Sequence, residues 1–127
     1  MDYELNKSEW KVMRYLWENE PCTLMELVRH MAQELGWSKS TTNTVMKRML
    51  EKGMVAYEKE GKAREYVAVY KREEVRLAET ENFVDRVFGG DVGLLVNNLV
   101  SSKKLNQKEI DEIQALLDQV KESGMEG

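Results

Sequence analysis

The sequence predicts a mostly α-helical chain with one small β-hairpin, divided into an N-terminal unit over residues 1–72 and a purely helical unit over residues 73–127. Three observations predict it. Stretches with apolar residues at helical spacing open on Asn, Thr, Ser or Asp, the residues that cap helix N-termini. One run, MVAYEKEGKAREYVAVY at 54–70, alternates at the strand period around a basic Gly-Lys turn. From Lys71 onward the composition turns acidic and all strand signals stop.

The first helix is expected over about residues 7–19. Asn6 followed by Glu9 forms a capping box, with Leu5 and Trp10 as its hydrophobic staple. Its apolar stripe is Trp10, Met13, Leu16 and Trp17, and Pro21 ends it. Thr23 and Glu26 repeat the box and open a second helix with Leu27, Val28, Met31 and Leu35 inward, closed by Gly36 at the left-handed position. Ser38 caps a third helix, closed by Gly53, with Thr42, Val45, Met46 and Met49 on one side. Ser40, Asn43, Thr44 and Lys47 occupy the other side, and Lys39 and Thr41 lie near the N-terminal tip. Strands follow over Met54–Lys59 and Arg64–Tyr70, joined at Gly61-Lys62. Leu77, Val84, Val87 and Phe88 mark a fourth helix ended by Gly89-Gly90. Asp91 caps the apolar segment DVGLLVNNLV, and an Asn106/Glu109 box opens a last helix carrying Ile110, Ile113, Leu116, Leu117 and Val120.

The 127 residues suit one medium domain or two small ones. The net charge of −4 by itself disfavours a polyanionic partner, but the charge is unevenly spread. Residues 1–72 carry 13 Lys/Arg against 11 Asp/Glu, residues 73–127 carry 6 against 12, and the stretch 38–64 carries 7 against 3. Local sign governs attraction to phosphate, because screening confines it to about 10 Å. A single cysteine, Cys22, excludes an internal disulfide and a thiolate metal cluster. No apolar run reaches the ~20 residues of a membrane span, and the opening MDYELNKSEW does not read as a signal peptide. A cytoplasmic protein that does not insert into a membrane is expected.

Three helices followed by a cationic hairpin read as a winged helix-turn-helix. A DNA major groove admits one α-helix, and short polar side chains at its N-terminal end read base edges. Asn43 suits a bidentate pair with adenine, and Thr41 or Thr44 suits a thymine methyl. Ser40, Thr41, Asn43 and Thr44 therefore form the expected base-facing set, with Lys39, Lys47, Lys62 and Arg64 as phosphate anchors and Lys59 nearby on the wing. The plain alternative for the helix is an ordinary solvated face; the cationic wing behind it favours DNA. The C-terminal segments are too apolar for a free surface and too short for a separate core, so a homodimer is expected, the plainer alternative being that they fold back onto their own winged helix.

Other features carry less. His30 stands alone on the second helix, Cys22 has no partner His, and the eight methionines suit core filling. No carboxylate cluster, Gly-rich phosphate loop or nucleophile elbow is present, so neither an enzyme nor a cofactor is expected.

Taken in order, LNKSEWKVMRYLWE, TLMELVRHM, SKSTTNTVMKRMLEKGMV, the FGGD at 88–91 and LNQKEIDEIQALL make the chain resemble the penicillinase-repressor (BlaI/MecI/CopY) family from about Leu5 to Val120. The resemblance implies a homodimeric transcriptional repressor of double-stranded palindromic operators at antibiotic-resistance or metal-response genes. In the β-lactam branch a membrane sensor metalloprotease system triggers a cut in the dimerisation region, usually at Asn-Phe. Carried onto this chain, that bond is Asn98-Leu99, with Leu99 in place of Phe. The copper branch uses C-terminal paired cysteines, which this chain lacks, so metal control is not implied. The acidic net charge keeps open a rival reading, a winged-helix module that binds protein and not DNA. A regulator with a small-molecule pocket is a third option without a polar cluster to support it.

Overall fold

The computed structural model describes residues 3–60 and 63–124, apart from the side chains of Lys59 and Glu60. The chain divides into two compact units, residues 1–80 and 81–127.

In the first unit, α1 (Lys7–Asn19) begins where the Asn6 side chain accepts the Glu9 N–H and the Glu9 carboxylate accepts the Asn6 N–H, both at 2.9 Å. A two-residue strand, β1 (Cys22–Thr23), leads into α2 (Leu24–Leu35), which Thr23 and Glu26 cap reciprocally. Gly36 ends α2 with φ +69°, a left-handed conformation that a β-carbon disfavours. The third helix, α3 (Lys39–Glu51), is capped by Ser38 and followed by β2 (Val55–Glu60) and β3 (Ala63–Ala68). The turn expected at Gly61-Lys62 lies outside the described residues.

The sheet has three strands in the order β1-β3-β2, antiparallel throughout, so β1 adds to the hairpin that the sequence pattern predicts. Tyr66 of β3 pairs with Cys22 on one side and Tyr57 on the other. Its strand period puts Tyr66 and Ala68 inward, against a core of Val12, Met13 and Leu16 from α1, Leu27 and Met31 from α2, and Met46 and Met49 from α3. Unbranched methionines fill the irregular space between short helices.

The buried stripe of α1 differs from the expected one. Val12 is fully enclosed, while Trp10 and Trp17 are only half-buried at its rim. The rim position leaves the Trp17 indole free to donate to the Tyr70 carbonyl at 2.8 Å and to carry the Arg72 guanidinium at 5.6 Å. Likewise Val28 and Leu35 of α2 are half-buried. Glu9, a polar cap residue, is 3% exposed because it also takes the Lys52 ammonium at 2.6 Å, tying the start of α1 to the end of α3.

The last helix of this unit, α4 (Arg72–Phe88), continues into the second; its first turns bury Val75, and Glu74 accepts the Tyr3 hydroxyl at 2.7 Å. Beyond Gly89-Gly90 come α5 (Val92–Ser101), capped by Asp91, and α6 (Gln107–Glu122), opened by the expected Asn106/Glu109 box. Neither α5 nor α6 buries a residue.

Candidate nucleic-acid interface

The N-terminal half of α3 presents a polar face built by its cap. Ser38 accepts the Thr41 N–H at 3.1 Å, and the two hydroxyls lie 3.0 Å apart. The Thr44 hydroxyl donates back to the Ser40 carbonyl at 2.9 Å, which satisfies its proton within the helix. Lys39, Ser40, Thr41, Asn43, Thr44 and Lys47 are all exposed, whereas Thr42, Met46 and Met49 are buried on the opposite side. Asn43 makes no side-chain hydrogen bond to another described residue, and neither Lys39 nor Lys47 has an ion-pair partner among them. The donor and acceptor of one amide and two cations thus remain for a ligand. The helix terminus adds its own preference for an anion.

Asn43 and Lys47 line one groove with Arg64 of β3, floored by Leu24, Met46 and Tyr66. The sheet and the helix therefore bring together three of the residues singled out from sequence, across 21 positions of chain. Arg64 lies over Tyr57, whose ring centroid is 4.4 Å from the guanidinium carbon. Lys62 and the Lys59 side chain lie outside the described residues.

Two further residues of this surface have no role in the expected site. Arg48 is exposed and stands four residues after Thr44, on the Ser40–Thr44 row of α3; its spacing was a usable signal. Tyr57 became visible only through strand register, which places it on the sheet face of Tyr66 and Arg64.

Elsewhere the chemistry is structural. Cys22 is 1% exposed, and burial, with Glu26 and Glu20 nearby, pushes its thiol up to about 12. His30 stacks on Tyr15 with ring centroids 4.0 Å apart. Among the described residues, no three His, Cys, Asp or Glu side chains converge as metal ligands, and no helix is long and apolar enough to cross a membrane. Asn98 and Leu99 lie in the last turns of α5, where the Asn98 carbonyl accepts the Ser102 N–H at 2.9 Å. In the second unit Leu94, Val100, Ile110, Leu116 and Leu117 are exposed, Leu116 by 61%.

Comparison with known proteins gives matches along nearly the whole chain. The sequence pattern of the penicillinase repressor family matches residues 5–119. The methicillin resistance regulatory protein MecI of Staphylococcus aureus (strain N315) is 27% identical over 116 residues, which is 91% of this chain and 94% of that protein. The penicillinase repressor of Bacillus licheniformis is 23% identical over 118 residues, 93% of this chain and 92% of its own length. The solution structure of the DNA-binding domain of the repressor BlaI aligns with a TM-score of 0.51 at 22% identity, over 56% of this chain and 87% of that one; this likeness is one of fold, the winged helix.

Proposed function

This chain belongs to the penicillinase repressor family, and from that membership we propose that it is a homodimeric DNA-binding transcriptional repressor of a palindromic operator. The observation that carries the reading is the groove in which Asn43 and Lys47 of α3 meet Arg64 of the wing. In this reading residues 1–72 bind DNA and residues 73–127 join two copies. Ser40, Thr41, Asn43 and Thr44 face bases, while Lys39, Lys47, Lys62 and Arg64 hold phosphates.

The exposed apolar side chains of α5 and α6 support pairing with a second copy, since burial against it would remove that surface from water. Pairing matters for affinity. Each half-site contact is modest, and linking two raises the effective concentration of the second, so separating the protomers releases the operator steeply. A cut at Asn98-Leu99, answering a membrane sensor metalloprotease system, would detach α6 from the rest without touching the DNA surface. Relatives named for methicillin resistance and penicillinase make resistance genes the first class of target to examine.

A gel shift with the DNA immediately upstream of the chain's own gene tests the reading. A shift that survives excess random duplex at ~150 mM salt is expected. Equal competition by random duplex, or a stable protein partner without duplex affinity, contradicts it.

A further inference from the structure

The root of the wing holds a cluster of two tyrosines and an arginine for which base reading by α3 gives no account. Register pairs Tyr57 with Tyr66 and Lys59 with Arg64, so Tyr57, Arg64 and Tyr66 share one face of the sheet. That face is buried at Tyr66 and exposed at Arg64. Tyr57, 43% exposed, sits between them: its ring is 5.9 Å from that of Tyr66, and the Arg64 guanidinium lies over it at 4.4 Å. A guanidinium seated over an aromatic ring still carries N–H donors for an anion. An arginine held in one rotamer also loses less freedom when it binds.

We infer that Tyr57 is a positioning residue for DNA: it holds Arg64 over the groove beside Asn43 and Lys47, aimed at the phosphate that flanks the bases met by α3. The inference rests on the DNA-binding reading above. The ligand of Arg64 is the duplex phosphodiester backbone, and Tyr57 acts only through Arg64.

The experiment is a double-mutant cycle read by fluorescence anisotropy, using the full chain and a labelled duplex from the region upstream of its gene. Arg64→Ala is expected to weaken binding and lower the salt slope by about one. Tyr57→Leu is expected to weaken binding about two- to five-fold. Tyr57→Phe, which keeps the ring, should bind as the unmodified chain does. In the Arg64→Ala background, Tyr57→Leu should add nothing. An equal loss from Tyr57→Leu in both backgrounds overturns the inference, because a folding defect would follow the substitution into either. Full affinity in Tyr57→Leu, or a loss in Tyr57→Phe as large as in Tyr57→Leu, overturns it too. If the unmodified chain shows no salt-dependent affinity for duplex, the DNA-binding reading itself fails and this role falls with it.

Discussion

Thr42 carries a fully buried hydroxyl that has no hydrogen-bond partner among the described residues, on the inward side of the helix proposed to read DNA. An isosteric Thr42→Val substitution removes the unsatisfied group without opening a cavity, so urea denaturation should show a gain of about 1 kcal/mol. DNA affinity should be unchanged, because the outward neighbours stay in place. In the proposed reading those neighbours divide by role. Asn43→Ala should relax preference at a single base position, a discrimination of about 1–3 kcal/mol. Lys47→Ala should weaken all sequences alike and reduce the salt slope by about 0.9. Binding titrations over a set of single-base operator variants at several salt concentrations separate the two; identical behaviour contradicts the division. Cys22 gives a pH prediction. Its folded thiol is held at about 12, above an ordinary value near 9, so the unfolded chain loses its proton first. Stability is therefore fully present below pH 9 and falls as pH rises from 9 towards 12. Denaturation at pH 8 and pH 10 should show a smaller fall in Cys22→Ala than in the unmodified chain.

At the scale of elements, what could be read from sequence was what depends on neighbours a few positions apart. The boxes at Asn6/Glu9, Thr23/Glu26 and Asn106/Glu109 all form, because each needs only residues three apart on one helical turn. Ser38 caps α3 for the same reason, and Ser38→Ala should cost about 1 kcal/mol of stability, measurable by thermal or urea melts, while fraying the turn that carries Lys39 to Thr41. Features that depend on distant partners were not legible. Two residues, Cys22 and Thr23, carry no strand pattern of their own and become β1 only because Tyr66 and Glu65 arrive beside them. The Glu9–Lys52 pair joins residues 43 apart, and nothing local distinguishes this cap glutamate from the exposed ones. In α1 the large tryptophans dominate the hydrophobic pattern, yet size keeps them at the rim, and the smaller Val12 fits the enclosed position. The groove itself was half legible. The polar face of α3 followed from helical spacing, but the approach of Arg64, and Tyr57 beneath it, required the register of β2 against β3.

At the scale of the molecule, charge and hydrophobicity are partitioned. The positive stretch 38–64 lies in the first unit, and the second combines net negative charge with exposed apolar side chains. In the proposed account the acidic half keeps off DNA and joins two copies, so the two halves should fail differently. Leu117→Glu, at an exposed apolar position of α6, should shift sedimentation equilibrium from dimer to monomer and weaken operator binding by at least tenfold, leaving the circular dichroism of the N-terminal unit intact. A two-fold reader of DNA leaves a two-fold footprint on the duplex upstream of the gene, measured at ~150 mM salt. Two protected half-sites related by a dyad, with centres a whole number of helical turns apart, are expected. Protection no greater than on random duplex, or one unpaired site without symmetry, would contradict it.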